Sequence, residues 1–320
     1  MNLRYLLHLT LLWNIAACNG PSPSSSSTAT THSGDSVYHW TKILDSGAWK
    51  KSYNFQMFNV RDTLWVFHPD GNWFSADGKN WTKSVLPNAI NNLAFLDYIY
   101  FKDAIYGLGH FEGNIERFTQ DNTVYRSSDM RTWEETAGKS NLPGRFFYHP
   151  FVFRDKIWII GGEDKSTRYA DIWNSEDAIN WTRKKDSMPF GKRINSQVVQ
   201  KNDTLFLLNN DVWISLNGLD WQLLIPEIVK GQEVFGYEAQ VFDNKIWLIG
   251  CNRNGQFLSQ VMYSVNGKEW KDLPAPWTPR GGMATTICHN KIWMTGGKYG
   301  GTPNQPEFVY SNDLWTLEVK

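Results

Sequence analysis

Apolar and polar positions recur along this chain in two kinds of short segment. In one, a Trp is followed by polar or charged residues: His39-Trp40-Thr41, Asn80-Trp81-Thr82, Thr132-Trp133-Glu134, Asn180-Trp181-Thr182, Asp220-Trp221-Gln222 and Glu269-Trp270-Lys271. In the other, an apolar run with an aromatic at its centre leads into a Gly-type turn; the centres are Trp65, Tyr106, Trp158, Phe206, Trp247 and Trp293. From each Trp of the first set to the aromatic of the second is 25, 25, 25, 25, 26 and 23 residues. Such constancy marks a repeat array whose units pack on one another.

One unit shows the elements. Phe147 to Phe153 is aromatic-rich, Arg154-Asp155 is a two-residue turn, and Lys156 to Ile160 is a second apolar run ending at Gly161-Gly162. These predict a β-hairpin. Asp171-Ile172-Trp173-Asn174 opens a third strand, and Ser175 to Trp181 turns it into a fourth. Four antiparallel strands per unit, six units and no helical period predict an all-β fold, a six-bladed β-propeller. The second strands are apolar on both faces, as befits blades sandwiched between neighbours. The Trp40 segment precedes the first complete unit and the last unit stops at a third strand around Trp315. The N-terminal strand is therefore expected to close the last blade and remove the ring's open edges.

The turn between third and fourth strands recurs as Ser75 to Trp81, Ser127 to Trp133, Ser175 to Trp181, Ser215 to Trp221 and Ser264 to Trp270, with Asp77, Asp129, Asp177, Asn217 or Asn266 at its third position. A short Asx side chain there can bind the turn's own backbone N–H groups. A structural turn is the expectation, not a metal or catalytic carboxylate. These hairpins resemble the Asp boxes of sialidase-type propellers without matching them fully. The Gly161-Gly162 and Gly296-Gly297 strand ends, with Asp171-Ile172-Trp173, Asp211-Val212-Trp213 and Asp313-Leu314-Trp315, resemble kelch repeats of galactose-oxidase-like propellers. The resemblance covers the chain after its N-terminal segment and implies the fold; propellers of this kind carry unrelated functions.

Residues 1–17 read as an export signal, with Arg4 as the positive start and a short apolar stretch from Leu6 to Trp13. Ile15-Ala16-Ala17-Cys18 resembles a bacterial lipobox, which implies acylation at Cys18 and, with Asn19 following, an outer-membrane anchor in the cell envelope. Residues 18–36, rich in Ser, Thr and Pro, read as a flexible tether, and 37–320 as one propeller domain. Lys plus Arg and Asp plus Glu number 32 each with no basic run, so nucleic acid is not an expected partner. Cys251 and Cys288 are expected on opposite faces, beyond disulfide reach, as free buried thiols.

Strand order puts the inner-strand starts, the loops between second and third strands and the blade crossovers on one face. Those loops are short in blades 1 and 4, which predicts a trough across the face suited to an extended glycan. Arg145, Arg193 and Arg280 share the first inner-strand position. Three arginines at one height could hold a carboxylate or sulfate, an echo of the sialidase arginine triad; loop hydrogen bonding is the alternative. Tyr148, Tyr237 and Glu238 lie further along inner strands and could reach the channel. His68 and His110 occupy turn positions in neighbouring blades, but no His spacing marks a metal site and no cofactor is expected. Trp49 and Trp277 lie outside the frame on crossovers, as sugar-stacking platforms if exposed or as packing if buried.

The functional expectation is a monomeric, surface-anchored, non-catalytic propeller binding a glycan or protein ligand on the loop-bearing face. One alternative is an enzyme on an acidic sugar, by sialidase-like hydrolysis or by isomerisation like that of kelch-type sialic-acid mutarotases. Another is a scaffold subunit of an outer-membrane complex.

Overall fold

The computed structural model describes residues 30–33, 36–84, 93–94, 96–108, 111–113, 118–120 and 122–320. The signal segment, Cys18, most of the tether and His110 lie outside these residues. Six four-stranded antiparallel blades form the ring. Their inner strands are Gln56–Val60, Asp97–Phe101, Phe151–Phe153, Gln197–Lys201, Glu238–Phe242 and Gly281–Cys288, for blades 1 to 6 in order. In blade 6, Leu314–Val319 is followed outward by Ser36–Leu44, with Trp40 opposite Leu317. The expected closure is therefore present. Residues Thr30–Ser33, placed in the tether by composition, add a further strand against Ser36–His39. The exposed edge of the closing strand offers unpaired N–H and C=O groups, and pairing them outweighs the weak local preference of a Ser/Thr-rich segment.

The core is divided among the seams. Each pair of neighbouring blades encloses one cluster of buried apolar side chains. This explains why second strands such as Thr63–His68 and Lys245–Arg253 are buried along almost their whole length: each face of the strand meets a different seam. Among the described residues, the seam between blades 5 and 6 is the richest in fully buried aromatics. There Trp40 meets Trp277 edge-on at 4.1 Å, and Tyr38 meets Trp247 at 4.9 Å.

Turn chemistry fixes the register. In five blades the inner hairpin has two successive residues at positive φ, for example Arg61 and Asp62 at 52° and 58°. That is the twist a two-residue turn needs to join right-handed strands. On the same hairpin face the Asx turns form as expected. The Asp129 carboxylate accepts from the N–H groups of Arg131 and Thr132 at 2.8 and 2.6 Å. The indole N–H of Trp81, Trp181, Trp221 and Trp270 each donates to the carbonyl at the fourth position of its turn. The donated N–H bonds hold Asp129 down at about 2, and among the described residues no trio of metal-ligating side chains converges. Cys251 and Cys288 are buried and unpaired.

Because Trp40 fills the last seam from the strand that closes the ring, Trp40→Ala should lower the unfolding free energy by about 3–5 kcal/mol. Urea denaturation of the variant checks this; a loss below about 1 kcal/mol would show that closure contributes little to stability.

Candidate functional site

Arg145, Arg193 and Arg280 do not stand free around the channel. Each is buried and turned back into its own blade. Arg145 donates from both Nη atoms to Asp171, at 2.7 and 3.2 Å, and also to the carbonyl of Gly161. Arg193 pairs the same way with Asp211 at 3.1 and 3.2 Å, and Arg280 with Asp313. The indoles of Trp173, Trp213 and Trp315 donate to the same three carboxylates at 2.7–2.8 Å. Each Arg–Asp–Trp set straps the start of an inner strand to the start of the third strand. The carboxylate oxygens and the guanidinium forks saturate one another, so the expected anion-binding triad is corrected to three struts.

Trp49 and Trp277 are corrected likewise. They are 2% and 3% exposed, packed edge-on against Trp81 and Trp40, so neither offers a face to a sugar. Crossovers must cover the ends of the seams, and an indole fills that space. Tyr237 also turns away from the channel: its hydroxyl donates to the carbonyl of Asn209 at 2.6 Å. Tyr148 is 1% exposed, and its hydroxyl has no hydrogen-bond partner. Of the proposed channel residues, Glu238 lines a cavity on the axis.

That cavity, about 170 Å³, lies on the propeller axis among Gln56, His149, Gln197, Glu238, Gln240 and Thr285. Register explains the convergence. Gln56 pairs with Phe67, Asp97 with Leu108, Gln197 with Leu208, Glu238 with Ile249 and Ala284 with Thr295. Each partner lies two residues after the frame aromatic of its second strand. Gln56, Asp97, His149, Gln197, Glu238 and Ala284 all stand nine residues before that aromatic. They form a collar at one level, one residue per blade, near the loop-bearing face. The sequence carried this signal as a fixed offset, but the residue type differs in almost every blade.

The collar has an approximate two-fold pattern. Blades 1 and 4 contribute glutamines, and the opposed blades 2 and 5 contribute carboxyls. Each glutamine is committed to the next blade's backbone. The Gln56 amide donates to Tyr98 O at 3.3 Å and accepts from Tyr98 N at 2.7 Å. The Gln197 amide donates to Tyr237 O and accepts from Ala239 N, both at 2.7 Å. These reciprocal pairs imitate a strand ladder across a seam, and they grip the backbone beside Asp97 and on either side of Glu238.

Burial sets the charge state of the rest. Protein surrounds Glu238 closely, though it keeps some solvent contact through the channel. Desolvation pushes its carboxyl up to about 8, and the like charge of Asp97 adds to this while the Gln197 amide opposes it. Burial also raises Asp97 well above the carboxylate range and lowers His149 to about 4. Burial thus favours the neutral forms of Glu238, Asp97 and His149, and the collar is rich in hydrogen-bonding groups.

The connections above the collar differ as loop lengths foretold. Blade 1 turns at Pro69-Asp70 and blade 4 at residues 209–211, whereas the blade 5 hairpin runs on through Lys245–Arg253 and Gln256–Ser264. His68 is buried and hydrogen-bonded to the Asp70 N–H at 3.1 Å, so it belongs to the blade 1 turn.

No family of sequences matches the chain, and no curated protein matches it. Among solved structures, the one titled "Structure of YjhT" shares its fold with a TM-score of 0.69 at 13% identity, over 87% of this chain and 99% of that one. Identity that low speaks for the fold alone.

Two outcomes follow. Arg145→Ala should cost about 3–5 kcal/mol, because Asp171 is left buried and unpaired; thermal and urea unfolding read it directly. Glu238 is protonated in the fold at a pH where the unfolded chain ionises it, so it costs stability increasingly as pH rises from about 4.5 to about 8. Glu238→Gln should therefore be more stable than the parent by ~2 kcal/mol at pH 8 and equal to it at pH 4. Parallel stability curves across that range would refute the buried, neutral carboxyl.

Proposed function

We propose that this propeller binds a neutral, polyhydroxylated ligand, a sugar residue of a glycan, in the axial collar on its loop-bearing face, without transforming it. The observation that carries the reading is that His149 and Glu238 line one axial cavity, with Asp97 at the same collar level, and that none of the three is in an ion pair among the described residues. Buried polar groups need partners. A sugar's hydroxyls can donate to a neutral imidazole and accept from a protonated carboxyl. The cavity admits about one ring, so a longer glycan would enter by its end and continue across the low connections of blades 1 and 4. Acidic sugars held by Arg145, Arg193 and Arg280 form no part of this reading.

A second reading has its own support. A carboxyl titrating near neutrality beside a neutral imidazole suits proton transfer to and from a sugar's anomeric oxygen. That chemistry is interconversion of anomers, which needs only an acid and a base beside the sugar's ring and anomeric oxygens. The scaffold alternative is the least supported: the large exposed apolar side chains, among them Val152, Leu216, Phe235 and Phe308, are scattered over four blades. Lipidation at Cys18 would present the propeller from the outer membrane as a tethered, monomeric receptor.

Titration of the protein with neutral monosaccharides and short glycans, followed by calorimetry, tests the proposal. His149→Ala should weaken any hit about tenfold or more with little change in Tm. Binding unaffected by His149→Ala and by Glu238→Gln would refute the axial site. Faster anomer exchange in NMR, lost in Glu238→Gln, would move the assignment to the catalytic reading.

A further inference from the structure

A second concavity lies at the rim of the loop-bearing face, between blade 3 and the crossover into blade 4. It encloses about 470 Å³ and shares no lining residue with the axial cavity. Its floor is the buried Arg145–Asp171 pair. One wall carries the rings of Tyr169 and Trp173. The Arg145 guanidinium lies over Tyr169 at 4.2 Å, and Arg183 lies over Trp173 at 5.7 Å. The mouth is ringed by Arg168, Arg183 and Lys192.

The cations at the mouth are held in a particular way. Arg168 is fixed through Nε to Glu163 at 3.1 Å, and Arg183 through Nε to Asp186 at 2.7 Å. Both pairings engage Nε, and the terminal nitrogens of neither guanidinium make a hydrogen bond among the described residues. Lys192 is exposed on the crossover and takes part in none of the ion pairs among the described residues. Four cations line the groove; Arg145, Arg168 and Arg183 are paired with Asp171, Glu163 and Asp186, and Lys192 adds a further positive charge. The connection of the adjacent blade 4, at residues 209–211, is short.

We propose that this rim groove binds an acidic glycan, one bearing uronate carboxylates or sulfate esters. Preset guanidinium forks take such groups through paired hydrogen bonds. The aromatic rings beside them offer flat apolar surface to the sugar rings that carry the acids. The groove is independent of the axial collar, so either site stands if the other fails.

Calorimetry of the full chain with an oligogalacturonate, a sulfated heparin oligosaccharide and a neutral xylo-oligosaccharide tests this and separates carboxylate from sulfate. At least one acidic oligosaccharide should bind, more weakly as salt rises. The double substitution Arg168→Gln with Lys192→Gln, both at exposed positions, should weaken it about tenfold. Glu238→Gln should leave it unchanged. Three results would each overturn the proposal: no binding of either acidic probe, equal binding of the neutral one, or undiminished affinity in the double variant.

Discussion

Everything in this molecule depends on the pairing of Ser36–Leu44 with Leu314–Val319. A six-unit array whose first strand did not reach its last would expose two sheet edges and leave one seam half filled. The closing strand satisfies the edge and delivers Trp40 and Tyr38 into the aromatic cluster between blades 5 and 6. Only in a closed ring do six inner-strand starts stand at equal height about one axis. The collar is thus a by-product of closure, and its level is set by strand register alone.

Within the ring, long polar side chains are used in two different ways. Arg145, Arg193 and Arg280 tie strands together inside a blade, and Gln56, Gln197 and Gln240 tie one blade to the next. Both uses commit the group to the protein's own backbone and side chains. Asp97, His149 and Glu238 stand among these committed groups and have capacity left over, which is why the reading of function settles on them.

The fold was legible because tryptophan repeated: Trp81, Trp133, Trp181, Trp221 and Trp270 each close the same turn, and Trp65, Trp158, Trp247 and Trp293 each fill a seam. The site was not legible by the same means. Arg145, Arg193 and Arg280 attracted notice because one residue type recurred at one position, yet recurrence marks what every blade needs for its own integrity. The collar occupies a position just as regular, but it reads Gln, Asp, His, Gln, Glu and Ala. A fixed place with changing chemistry is what a composite site on a repeat protein looks like. Trp49 and Trp277 failed for another reason: spacing gives a residue's place along the chain and says nothing of depth, and a crossover indole can face either way.

The near two-fold pattern of the collar has a consequence for orientation. A molecule centred on the axis would find an amide and a carboxyl, then the same two again after half a rotation, and could settle in either of two poses. His149 and Ala284 alone break that equivalence, since one offers an imidazole and the other only a methyl group. In the proposed axial site the imidazole would be the key that singles out one pose, and exchanging the two side chains would reverse the direction in which a ligand lies without altering the ring that holds it.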